Sequence, residues 1–144
     1  MSGARHDVGF EDPILNSINF QINEDFNLDD YNGMDNMTYD LKVLGKEEAK
    51  EFVEDNKIDE DKIMSLVKFK LSIGAINSSY PFFVEIEYQS VFYWDKDSGL
   101  DEEDFLKINA PAILYSYCRP LISNISNLSK YPSLNIPFYN FTNN

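Results

Sequence analysis

At 144 residues the chain is the size of one ordinary domain, long enough to bury roughly two thirds of the surface its unfolded form exposes, so no stabilising staple is required. Twenty-five acidic against twelve basic residues give a net charge of −13, which repels phosphate backbones and argues against a nucleic-acid partner. The single cysteine, Cys118, excludes an intramolecular disulfide and fits a reducing compartment, and no apolar run approaches the roughly eighteen residues of a membrane-spanning helix.

The N-terminal stretch has no apolar core of the signal-peptide kind, so a cytoplasmic protein is expected, and residues 1–12 carry no periodic pattern and read as a loose arm. From Ile14 the chain alternates, with Ile18, Phe20 and Ile22 on one face and Asn19, Gln21 and Asn23 on the other, the period of a half-buried strand. After a polar stretch with the turn dipeptide Asn32-Gly33, the residues Tyr39, Leu41 and Val43 alternate with Asp40 and Lys42 as a second strand. The charged run that follows, residues 45–61, reads as a solvent-exposed loop or short surface helix outside the core. Val67, Phe69, Leu71 and Ile73 against Lys68, Lys70 and Ser72 give a third strand, and Val84, Ile86 and Tyr88 against Glu85, Glu87 and Gln89 a fourth, the two forming a long hairpin.

Beyond an acidic turn, Pro111 suits a helix start, and Leu114, Tyr117, Leu121, Ile125 and Leu128 recur every three or four residues as an amphipathic stripe that Pro120 is expected to kink or break. Ile113, Tyr115 and Ile122 fall off that stripe and are assigned to a contact between subunits. The fold class is therefore α+β: a four-stranded antiparallel sheet packed against a C-terminal helix, in a single domain over 1–144.

Catalytic chemistry finds little support. His6 is the sole histidine and lies in the arm, Cys118 reads as a small buried hydrophobe, and Asp95, Asp97 and Asp101 fail the calcium-loop spacing because Leu100 and Leu106 stand where a glycine and a bidentate glutamate belong. Neither a phosphate-binding glycine loop nor a metal-spaced Cys/His cluster is present in the sequence, and no cofactor is expected. The tail raises a different question. Residues 131–141 contain Pro132 and Pro137, which forbid a regular helix, yet also Tyr131, Leu134, Ile136, Phe138, Tyr139 and Phe141. A loop this apolar either covers a core or offers its side chains to something outside the chain.

Pro111, Ile113, Leu114, Tyr115, Tyr117 and Arg119 at the helix start, then Tyr131, Pro132, Leu134, Asn135 and Ile136, then Asn140 and Phe141, together resemble in order and spacing the motifs of the SecB protein-export chaperone family. The fourth strand, residues 82–92, echoes the family as well. The resemblance implies a dimer of dimers and a groove for unfolded polypeptide walled by the loop after the helix. On that basis the client groove is assigned to Tyr39, Leu41, Val43, Tyr131, Leu134, Ile136, Phe138 and Phe141, with Leu134 and Phe141 also suited to anchoring the loop. The implied function is an ATP-independent holdase, not an enzyme, forming a homotetramer. The alternatives are a SecB-like adaptor dedicated to one partner, such as an antitoxin, and a fold relative that kept the oligomer and lost client binding.

Docking to the translocase motor SecA is less well supported by the residues. The family's first strand places acids around an Ile-Ser-Phe core, whereas Ser17-Ile18-Asn19-Phe20-Gln21 has neither; Glu85 and Glu87 on the fourth strand are the remaining candidates for partner docking. The family also continues beyond the position of Asn144 into a motor-contacting tail, which adds to the expectation of weak docking.

Overall fold

A computed structural model describes residues 8–27, 29, 37–55, 57–74, 80–129, 136 and 139–143. The elements are β1 (Val8–Phe10), β2 (Ile14–Ile22), β3 (Met37–Leu44), α1 (Lys46–Lys50), β4 (Ile63–Ile73), β5 (Phe82–Trp94), α2 (Glu102–Asp104), a π-helical turn (Phe105–Asn109), α3 (Ala110–Ser126) and a 3-10 turn (Phe141–Asn143).

All strand pairings are antiparallel, in the order β1-β5-β4-β3, with β2 also paired to β5. The sheet has five strands but is only four strands wide. β1 and β2 lie one after the other along the same edge of β5, from Val8 opposite Trp94 to Phe10 opposite Phe92, then from Ile14 opposite Gln89 to Ile22 opposite Phe82. The Glu11 amide continues the ladder to the Val91 carbonyl at 2.9 Å, after which Pro13, lacking an N–H, interrupts it. Residues 8–10 are thus strand rather than loose arm; His6 lies outside the described residues. The arm reading failed because a three-residue strand is too short to display a period. A Cβ at Gly9 would fall 2.3 Å from the tip of the Tyr93 ring, so a larger residue there would have to displace that ring.

The central pair β4 and β5 carries the core. Val67, Phe69, Leu71 and Ile73 with Val84, Ile86, Phe92 and Trp94 are all at most 1% exposed and face α3. Each such side chain contributes about 1.5–3 kcal/mol through burial. On the other face, Ala49, Ile58, Met64, Leu66 and Val91 form a second, smaller cluster at one end of the sheet. The charged run 45–61 therefore does enter a core, through Ala49 and Ile58, because its two small apolar footholds are outvoted in composition by the carboxylates around them.

The helix begins earlier than Pro111. Asp101 caps α2, its side chain accepting from the Asp104 amide at 3.2 Å, and Glu102, Glu103 and Asp104 place negative charge on the positive end of the helix. The π turn follows, and α3 then runs unbroken through Pro120, which sits on its exposed side. The buried stripe is Leu114, Tyr115, Cys118 and Ile122, whereas Tyr117 is 39% and Leu128 86% exposed. The sequence-based stripe was rotated by about one residue, or about 100° of helix, because Cys118 is as apolar in its packing as a leucine but was not counted as a stripe position.

Candidate functional site

β3 is an outer strand of the sheet, and its residues Met37, Tyr39, Leu41 and Val43 alternate toward the α3 side. Tyr39 stacks on Phe69 at 5.5 Å between ring centres and receives the ring edges of Phe141 at 5.1 Å and Tyr139 at 5.9 Å. Phe141 joins these to α3, lying 5.8 Å from Tyr115 and 5.9 Å from Phe69. Such edge-to-face pairs add about 0.5–1.5 kcal/mol each beyond area burial. The chain after α3 is thereby pinned to the sheet. A second tie is polar: Arg119 Nε donates to the Ile136 carbonyl at 3.1 Å.

Past this aromatic cluster the described residues leave the sheet edge incompletely covered. A groove of about 370 Å³ opens there, lined by Tyr39, Leu41, Asp104, Lys107, Ile108, Phe141 and Thr142. Its floor is apolar and its rim polar. On the rim Lys107 is paired with Glu103 at 2.6 Å, which leaves Asp104 as the unpaired rim charge among the described residues. Burial, with Tyr139 adding to it, raises the Tyr39 hydroxyl above its ordinary range, and burial pushes Tyr115 up to about 12. Both phenols are neutral near pH 7, so the groove presents ring surface and hydroxyl hydrogen-bonding groups rather than phenolate charge. Among the described residues no group of three His, Cys, Asp or Glu side chains is arranged to hold a metal ion.

The family described as "Preprotein translocase subunit SecB" matches residues 48–143, which include all of β4, β5 and α3 and the groove-forming tail through Thr142. The chain belongs to the SecB family. Among curated relatives, the protein-export protein SecB of Ehrlichia chaffeensis is 29% identical over 111 residues, 70% of this chain and 61% of that protein. That of Anaplasma phagocytophilum is 30% identical over 80 residues, 53% of this chain and 51% of that protein. The chain thus spans between half and two thirds of the length of these relatives. Among solved structures, a SecB-like chaperone of Mycobacterium tuberculosis in complex with a ChAD peptide from the HigA1 antitoxin superposes with a TM-score of 0.55 at 15% identity, covering 92% of this chain and 89% of that one. A Streptococcus agalactiae protein of unknown function superposes with a TM-score of 0.56 at 14% identity, covering 94% and 100%. These two likenesses establish the fold.

Within this SecB fold the residues assigned from sequence fall into three groups. Tyr39, Leu41 and Phe141 meet at the groove, and Val43, 41% exposed, continues the same face of β3 beyond it. Ile136, expected on the groove surface, is instead 3% exposed and packed in the main core, while its carbonyl accepts from Arg119. Tyr131, Leu134 and Phe138 lie outside the described residues. Tyr115 and Ile122, assigned to a subunit contact, are 3% and 1% exposed and face the sheet. They have no surface to give a second copy, a direct consequence of the rotated stripe, while Ile113 keeps partial exposure.

Glu85 and Glu87 stand on the opposite face of the sheet from the groove, half-buried, the first accepting from the Ser72 hydroxyl at 3.3 Å and the second from Asn16 Nδ2 at 2.9 Å. Sequence reasoning missed Asp104, Lys107, Ile108 and Thr142 in the groove. The available signal was the apolar spacing of Phe105, Leu106 and Ile108 just before Pro111, which marks a helix already under way.

Proposed function

We propose that the chain is an ATP-independent holdase of SecB type, in which the groove at the β3 edge takes apolar and aromatic side chains of non-native polypeptide. The observation that carries this reading is an open apolar groove built on a rigid aromatic cluster in a member of the SecB family. Aromatic rings and Leu41 supply sequence-tolerant surface, and among the described residues no strand pairs with the outer edge of β3, which would serve an extended client. No bond is made or broken, and release follows from mass action or hand-off.

The same reading includes a homo-oligomer, a dimer of dimers. Its support is a continuous apolar surface away from the groove: Leu15, Ile18 and Ile22 on the edge strand β2, 41%, 40% and 37% exposed, beside Tyr117 on the outer side of α3. Tyr117 leans on Tyr88, which lies opposite Leu15 in the ladder. Long apolar edge strands are rarely left uncovered.

The testing experiment is Leu41→Asp, assayed for suppression of aggregation of a denatured client and for client affinity. Leu41 is only half-buried, so the expected outcome is an intact fold with client binding weakened about tenfold, the order expected for losing one apolar anchor. Unchanged client affinity in a folded Leu41→Asp protein overturns the groove assignment. The adaptor reading is favoured by one comparison, the fold relative held with an antitoxin peptide; protection of one partner and of no unrelated client would select it.

A further inference from the structure

A pocket at the junction of β1 and β2 lies on the sheet face opposite the groove and shares no lining residue with it. Phe10 pairs with Phe92 and Ile14 with Gln89, so residues 11–13, with Pro13 among them, stand against Ser90 and Val91 alone. The ladder loosens at such a mismatch. Beside it the segment that follows α1, held in the second core cluster by Ala49 and Ile58, brings up Phe52 and Lys57. The result is a pocket of about 140 Å³ with Leu66 and Val91 as its apolar floor.

Gln89 shares that floor. Val91 lies two residues along from it on β5, Leu66 pairs with Val91, and Ile14 pairs with Gln89 itself, so all four side chains fall on one face. Gln89 is 3% exposed. Its Oε1 accepts from Asn16 Nδ2 at 2.7 Å, and the orientation of both amides is fixed because the same Nδ2 also donates to the Glu87 carboxylate at 2.9 Å. Gln89 Nε2 is thus turned from Asn16, and among the described residues it meets no acceptor. Buried amide donors are rarely left so.

Charges of both signs surround the mouth. Lys57 pairs with Glu11 at 2.9 Å, with Glu54 and Asp12 also favouring its charged form, and Lys68 stands across from Gln89 on β4. This mixture recruits neither a strong acid nor a strong base. We propose that the pocket docks one aliphatic or aromatic side chain of a partner protein, whose adjacent backbone carbonyl accepts from Gln89 Nε2. The volume suits an anchor better than a free small molecule, since drug-sized sites run to about 300–1,000 Å³. Phe52 and Ile14, both exposed at the rim, extend the apolar contact to the chain on either side of the anchor. The site goes beyond the holdase reading, because no groove residue takes part in it.

The test is an NMR titration of the full chain with the capped pentapeptide Ser-Gly-Leu-Gly-Ser, read at the Gln89 side-chain amide and the Leu66 and Val91 methyls, in the wild type and in Leu41→Asp. These signals are expected to shift alike in both proteins. Alanine in place of the central leucine is expected to weaken affinity about tenfold or more, and Gln89→Leu about three- to tenfold. Phe52→Ala, at an exposed position, supplies a second variant with a similar expected loss should Gln89→Leu fold poorly. Absence of any shift at Gln89, Leu66 or Val91 at about 5 mM peptide overturns the inference. So does affinity unchanged in both variants, equal affinity for peptides with a central glutamate or lysine, or loss of binding in Leu41→Asp, which would put the peptide in the client groove. The same shifts on raising protein concentration without peptide would assign the pocket to a second copy and overturn it as well.

Discussion

Cys118 illustrates how far a single side chain's chemistry follows from where it is placed. It is fully buried on the sheet-facing side of α3, and burial pushes its thiol from 9.0 up to about 12. Between those values the unfolded chain releases a proton that the folded chain keeps, so the unfolded state binds fewer protons and stability falls as pH rises. The contribution is fully present below pH 9.0 and is lost progressively toward about 12. Urea melts of the wild type and Cys118→Ala are therefore expected to run parallel from pH 7 to 9 and to diverge above it, with the wild type declining more steeply. Parallel curves throughout would mean that the thiol is not buried in the folded protein. The burial of Cys118 was legible from its apolar neighbours. The burial of Ile136 was not, because the apolar residues of a proline-containing tail carry no period that separates core positions from surface ones. Phe141 was readable both as anchor and as groove residue, and it lies at the aromatic cluster and on the groove wall together.

At the scale of elements, strands were read well and helix phase was not. A period of two survives any local irregularity except a bulge, and the faces assigned to β3, β4 and β5 are those observed. Even the register shift between Leu15 and Ser17 on β2 leaves Ile18, Phe20 and Ile22 together on one face. Helix phase is less forgiving, because counting Tyr117 and leaving out Cys118 is enough to rotate the stripe of α3 onto the neighbouring face. The practical consequence concerns assembly. With Tyr115 and Ile122 buried, the surface proposed for a second copy moves to β2 and the outer side of α3. Ile18→Glu or Tyr117→Glu is expected to lower the oligomeric state seen by light scattering at micromolar concentration, while Ile122→Glu is expected to unfold the chain by burying an unpaired charge. A wild-type protein that is monomeric at that concentration would remove the oligomer from the proposal.

The molecule as a whole has two faces with different chemistry separated by one sheet. On the α3 side lie an aromatic groove and an apolar edge, the surfaces proposed for polypeptide and for a second copy; on the other side Lys42, Lys68 and Lys70 share a polar field with Asp40, Glu85 and Glu87, the last two engaged by Ser72 and Asn16. Net charge alone suggests affinity for a basic partner such as the translocase motor expected from the family. Placement argues otherwise, because charge complementarity acts through facing groups and chiefly on encounter and specificity. Ser17 and Gln21 on β2 contribute no charge, and a basic partner approaching Glu85 and Glu87 meets Lys68 and Lys70 on the adjoining strand. Calorimetric titration with the motor of the same organism at physiological salt is accordingly expected to give affinity weaker than about 1 μM. Lys68→Glu/Lys70→Glu should strengthen that binding if the lysines are the obstacle. Submicromolar affinity in the wild type, insensitive to added salt, would mean that the motor uses neither this face nor its charges, and it would turn the functional assignment from a holdase toward a dedicated export chaperone.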